Sequence, residues 1–196
     1  MLGQRLQNTS IKRLALEAIF LVIAVLFALT VDEAWEDYEN SEAANLALSR
    51  ILLELEGNEK LISEANAQHG LELARIQPVM DLLNMQKPIP EDFDIDVGFQ
   101  ISIMRNTAWE SAQITDVLRH LPYQKVQKLA AVYSLQELYR NQTMQIFNYQ
   151  GSVEFIGAST EVQLQSAFQR LLNIYAIEQA LHEAYTLSIS KEPLIN

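Results

Sequence analysis

Apolar residues form one dense run near the N-terminus and then recur at helical spacing along most of the remaining chain. The run lies in residues 11–40, IKRLALEAIFLVIAVLFALTVDEAWEDYEN. From Leu14 to Val31, 18 residues are interrupted by one charge, Glu17. That length lets an α-helix cross a hydrocarbon core of about 30 Å, and the pattern predicts a membrane anchor. Two other readings fit less well. A cleaved signal needs small residues at its processing site, whereas this run ends in Ala28, Leu29, Thr30, Val31 and then acids. A core helix of a soluble protein seldom needs so long a stretch apolar on every face.

Beyond the run the period stays near 3.6. Ala44, Leu48, Ile51, Leu55 and Ile62 fall on one stripe, and no proline occurs before Pro78, so the helix is expected to leave the membrane unbroken to at least Leu55. Gly57 and Asn58 are its first weak point. Leu73, Ile76, Met80 and Leu83 continue the pattern, with Gly70 and Pro78 as sites where the helix could kink or turn back; a kinked continuation to about Met85 is the reading adopted. Residues 86–99, with Pro88, Pro90, Gly98 and four acids, read as an exposed acidic connector.

Three further helices follow. Thr107-Ala-Trp-Glu110 has the form of a capping box and predicts a helix over about 108–120. Pro122 suits the first turn of the next, over about 122–149. That helix is apolar on two faces: Leu129, Val132, Leu135, Tyr139 and Ile146 on one, Val126, Ala130 and Tyr133 on the other. A two-faced helix is central in a bundle or meets a neighbouring subunit, which makes Leu129, Val132, Leu135 and Tyr139 a candidate partner face. Gly151 and Gly157 frame a short connection. Thr160 and Gln163 form a second candidate capping box for a last helix, which Lys191-Glu-Pro193 should end. The expected fold is all-α: a single N-terminal transmembrane helix extending into an antiparallel helical bundle. Residues 1–13 form a short cytoplasmic N-terminus, 14–31 the span and 32–196 a periplasmic helical domain.

Charge sets the orientation. Arg5, Lys12 and Arg13 precede the span, while Asp32, Glu33, Glu36, Asp37, Glu39 and Glu42 follow it with no Lys or Arg before Arg50. The positive-inside rule keeps the basic end cytoplasmic; in a Gram-negative cell the body then lies in the periplasm and the span in the inner membrane. Trp35 and Tyr38 occupy the headgroup level or pack on the next helical segment. Glu17, four residues after Arg13, reads as a paired charge at the membrane rim.

The 196 residues carry a net charge of −11, and residues 1–31 hold three basic side chains and one acid, leaving −13 on the rest. Such a body repels phosphate backbones, so no nucleic acid partner is expected. Six glycines and five prolines argue for an ordered chain, and the absence of cysteine removes disulfides and thiolate chemistry.

Candidate chemistry is sparse. His69, His120 and His182 lack the spacing of a helical metal pair and read as helix-surface or helix-end residues. No phosphate-binding loop, dinucleotide fingerprint or nucleophile elbow occurs. Glu54, Glu56 and Glu59 read as a solvated face. Trp109, Tyr133, Tyr139 and Tyr175 sit on apolar stripes, where core packing outweighs a ligand cavity. No catalytic, metal or cofactor residues are expected.

The stretch TAWESAQITDVLRHLPYQKVQKLAAVYSLQELYRNQ, residues 107–142, resembles a diffuse group of uncharacterised Gram-negative single-pass envelope proteins. Shared features are the basic Lys12-Arg13, the early Glu17, Asp32-Glu-Ala-Trp-Glu36 at the end of the apolar helix and Leu55-Glu-Gly-Asn58. An Ala-Trp-Glu-x-Ala segment at 108–112 and the helix bearing Tyr133, Gln136 and Tyr139 complete the likeness. The resemblance implies an anchored helical architecture and transfers no catalytic residues. The expected function is a non-enzymatic scaffold or accessory subunit, acting as a homo-oligomer or within a larger membrane complex. The alternative is a periplasmic domain that binds or senses a small ligand between helices.

Overall fold

The computed structural model describes residues 3–94 and 96–190; the side chains of residues 3–13 and of Ala15 lie outside that description. The fold is all-α. Five α-helices occur among the described residues: α1 (Gly3–Asn84), α2 (Thr107–Ile114), α3 (Tyr123–Gln150), the four-residue α4 (Val153–Ile156) and α5 (Thr160–Ile189), with a 3-10 turn at Val117–His120. The chain divides into two compact units, Met1–Leu46 and Ala47–Asn196.

In the first unit α1 presents its apolar run to the outside. The large apolar side chains from Leu14 to Val31, Phe20, Leu26 and Phe27 among them, are all exposed. This is the one helix among the described residues long and apolar enough to cross a membrane; its best 18-residue window has mean hydropathy 2.1 and no buried residue.

In the second unit α1 runs on through Gly57, Gly70 and Pro78 as one helix. Pro78 has no amide to donate to Ala74, a loss helices tolerate with local bending. α1 ends where Gln86 turns left-handed at φ 56. The Gln86 amide donates to Leu83 O at 2.9 Å and the Lys87 amide to Leu82 O at 2.9 Å, the paired closure of a Schellman ending. Pro88 then bars further helix.

α5 lies antiparallel to both α1 and α3. Glu59, Asn66 and His69 of α1 meet His182, Tyr175 and Glu178 of α5. Gln136 and Tyr149 of α3 meet Tyr185 and Arg170 of α5. α1 and α3 therefore run in the same direction, and the chain between them must travel the length of the bundle to return. Residues 86–106 do this as a strap with no helix or strand at any described position. The core between the three helices holds Ile51, Leu55, Ile62 and Ile76 of α1. From α3 come Leu129, Val132, Tyr139 and Ile146, and from α5 Leu164, Phe168, Leu171, Ile174, Leu181 and Tyr185. Each such side chain contributes about 1.5–3 kcal/mol by leaving water.

Several local expectations change. The partner face expected at Leu129, Val132, Leu135 and Tyr139 is turned inward: three of the four are buried and Leu135 packs partly buried against the core. The chain's own helices fill the place of a partner there. The helix expected over 108–120 breaks at Asp116, which is left-handed at φ 57. Thr107 does not cap α2; the Ala108 amide is taken by the carboxylate of Glu54 at 2.9 Å, across the bundle. At α5 the cap is Ser159, whose hydroxyl accepts from the Val162 amide. Gln163 instead reaches back to Phe155 O at 2.8 Å and Ala158 O at 3.2 Å. Lys191-Glu-Pro193 lies outside the described residues.

Candidate functional site

The strap is held by polar side chains from one face of α1. Asn58, His69, Glu72 and Arg75 follow the three- and four-residue steps that keep positions on one side of a helix, and Glu54, one turn before Asn58, reaches α2 instead. Arg75 donates to the carbonyls of Asp94 at 2.6 Å and Asp96 at 2.8 Å while its fork grips Glu72. The Arg75 guanidinium holds the Glu72 carboxyl below its ordinary range. Farther along, Asn58 closes a two-way amide pair with Arg105, donating to its carbonyl at 2.7 Å and accepting from its amide at 2.9 Å. Ser102 donates through its hydroxyl to Leu61 O at 3.1 Å. The strap thus satisfies main-chain groups that no ladder provides for.

Between these anchors lies a sealed polar cluster. His69 is 1% exposed and Glu178 fully buried. The Gln100 amide donates to His69 Nε2 at 2.9 Å, which requires a lone pair there. The ring proton is therefore on Nδ1, where it faces both oxygens of Glu178 at 2.9 and 3.0 Å. The Tyr139 hydroxyl lies under the influence of the Glu178 carboxylate and accepts from the Ser102 amide at 3.3 Å. Burial, reinforced by the Glu178 carboxylate and opposed by the Ser102 amide, pushes Tyr139 up to about 12. Beside this cluster Gln136 donates to the Tyr185 hydroxyl at 2.7 Å, which points at the Met104 sulfur. The Tyr133 hydroxyl donates to Glu54 at 2.8 Å, and its ring stacks on Trp109 with centroids 5.0 Å apart. Burial raises Tyr133 and Tyr185 as well. Every buried side-chain nitrogen or oxygen among the described residues has a partner.

A half-open groove of about 860 Å³ runs between α3, α2 and strap residues 101–104. Tyr133, Gln136 and Tyr139 line it together with Glu110, Glu137 and Arg140. Ile103, 86% exposed, stands at its edge. No group of three metal-ligating side chains occurs among the described residues.

The residues singled out from sequence distribute as follows. The Arg13 side chain is outside the described residues, Glu17 is exposed on α1, and Trp35 and Tyr38 are exposed with ring centroids 6.1 Å apart. The Trp35 indole donates to Glu39 at 3.0 Å. His182 meets Glu59 at 3.1 Å on the surface, and His120 accepts from Arg119; both sit as expected for helix-surface groups. His69 does not, since it is buried at the centre of the cluster. Glu54 is likewise no solvated acid, because it serves both α2 and Tyr133. The signal for His69 was its place midway between Ile62 and Ile76 at seven-residue steps, and for Glu178 its position four after Ile174 and three before Leu181. Polar residues on apolar stripes are buried in pairs.

The arrangement defines a class: a three-helix body with a polar interior seam, closed by a strap and joined in sequence to an exposed apolar helix. Comparison with protein-family models, curated proteins and solved structures finds no match to the chain.

Proposed function

We propose that this chain is a single-pass membrane protein whose body is a non-enzymatic scaffold or accessory subunit, assembling with its own copies or with a larger membrane complex. The observation that carries the reading is the run from Leu14 to Val31, whose large apolar side chains are all exposed. Soluble monomers rarely present contiguous apolar patches beyond a few hundred Å², and a lipid core is the solvent in which such a helix is at rest. The basic residues before it and six acids after it support an N-terminus in the cytoplasm and a body beyond the membrane. In a Gram-negative envelope that orientation puts the span in the inner membrane and the body in the periplasm. The non-enzymatic reading is supported by the sealing of His69 and Glu178, which are bonded to each other and do not line the groove.

The groove of about 860 Å³ favours a second reading, a small ligand held between α3 and the strap. Extraction in mild detergent followed by intact-particle mass measurement separates the two. The scaffold reading expects a mass of several chains or a companion protein. A monomer retaining a small molecule supports the second reading instead. A reporter fused after Asn196 should be active only beyond the membrane; cytoplasmic activity would overturn the orientation.

A further inference from the structure

The strap's bonds are unequal along its length. It is tightly held at Asp94 and Asp96 by Arg75 at 2.6 and 2.8 Å and at Arg105 by Asn58 at 2.7 and 2.9 Å. Between them the Gly98 amide reaches Glu72 at 3.4 Å and the Ser102 amide reaches Tyr139 at 3.3 Å, both long. The one short bond made by a strap main-chain group in that interval is Gln100 N–H to His69 Nε2 at 2.9 Å, beside the side-chain bond from the Ser102 hydroxyl to Leu61 O at 3.1 Å. The Gln100 bond depends on a lone pair that a proton also takes. Once Nε2 is protonated it is a donor, and two donors face each other across the same gap.

We propose that His69 is an acid-released latch, in which protonation at Nε2 and the Gln100 bond exclude one another and low pH frees the middle of the strap. The groups facing the ring are few. Glu178 of α5 accepts from Nδ1 and stabilises the imidazolium; Tyr139 of α3 lies under the influence of that carboxylate. On the strap side stands the Phe99 ring, with centroids 6.3 Å apart. On α1 the charged neighbours along the same face are Glu72 and Arg75, paired with each other. Tyr175 of α5 lies against Gly70. Nδ1 already donates to the Glu178 carboxylate, so a proton added at Nε2 falls on the main-chain bond of the strap. Because the proton and the Gln100 amide compete for one site, each weakens the other by the same factor. Residues 101–104 form one wall of the groove, so release of this segment reshapes it.

The test uses the full-length protein in detergent. Ring signals of His69 and amide exchange at Gln100 and Arg105, corrected for intrinsic rates, are followed between about pH 7.5 and about pH 5, the range in which imidazoles change charge. Protection at Gln100 should fall about tenfold, the scale of one hydrogen bond, with the midpoint of the ring titration, while Arg105 keeps its protection. Glu178→Gln should move both midpoints together to lower pH, and His69→Gln should leave no dependence on pH. Midpoints that separate, a titrated ring with Gln100 still protected, equal loss at Arg105, or a ring neutral until the body unfolds would each overturn the latch. Should His69→Gln fail to fold, the wild-type comparison and Glu178→Gln decide.

Discussion

The hydroxyl of Tyr139 is buried, accepts from Ser102 and lies under the influence of the Glu178 carboxylate. Its pKa of about 12 lies above the unfolded value of about 10. The folded state holds this proton more tightly, so the contribution is complete below about pH 10 and is lost as pH rises toward 12, on the order of 2 kcal/mol for this residue. Tyr133 and Tyr185 are shifted the same way by burial and steepen the same limb. Urea unfolding midpoints should be flat near pH 8 to 9 and fall sharply above 10, with buried phenolate absorbance appearing only as the body unfolds. Early ionisation of all seven tyrosines in the folded protein would contradict the seam. At this scale the sequence exposed the residue types but not their pairing. His69 and Glu178 are 109 positions apart, and no local pattern marks one as the other's partner.

Helix ends show where local chemistry is decided by distant neighbours. Thr107 and Glu110 have the spacing of a capping box, yet the amide at Ala108 is satisfied by Glu54. A carboxylate brought in from α1 is a stronger acceptor than a hydroxyl, and Glu110 is occupied by Asn106 at 2.6 Å. The end of α1 carries a different strain. Gln86 occupies a left-handed position at φ 56, where a Cβ costs about 1 kcal/mol. Gln86→Gly should raise the stability of the body by about 0.5–1 kcal/mol with no loss of helix, seen as a higher urea midpoint at unchanged slope. A lower midpoint would mean that the Gln86 side chain, and not the turn, sets the balance. The strap is the element least legible in advance. Pro88, Pro90 and the acids mark its first half as non-helical. Residues 100–106 gave no such sign, because their path follows from the parallel run of α1 and α3.

The two units place opposite demands on their surroundings. Met1–Leu46 carries the exposed apolar run, whereas Ala47–Asn196 has its own core. Removal of residues 1–40 should therefore give a helical, cooperatively unfolding body that stays in solution without detergent, while the full chain partitions into membranes. Circular dichroism and sedimentation of both forms check this. A truncated body that aggregates or loses its helices would show that the apolar helix contributes to folding as well as to placement. A full chain that remains soluble would remove the membrane reading.

Periodicity and composition left open whether α1 continues, kinks or turns back at Gly70 and Pro78, but by themselves determined the all-α class, the apolar N-terminal helix and the positions of α3 and α5. These follow from local rules, since a 3.6-residue stripe and a proline act within a turn or two of chain. Only the tertiary structure decided that α1 and α3 run parallel, that Leu129, Val132 and Tyr139 form core and not a partner face, and that Asn58 and His69 bind a strap while Glu54 serves α2 and Tyr133. Those outcomes depend on which helix meets which. That choice is made by burying apolar faces together and pairing the polar groups trapped between them, and no single segment holds the information.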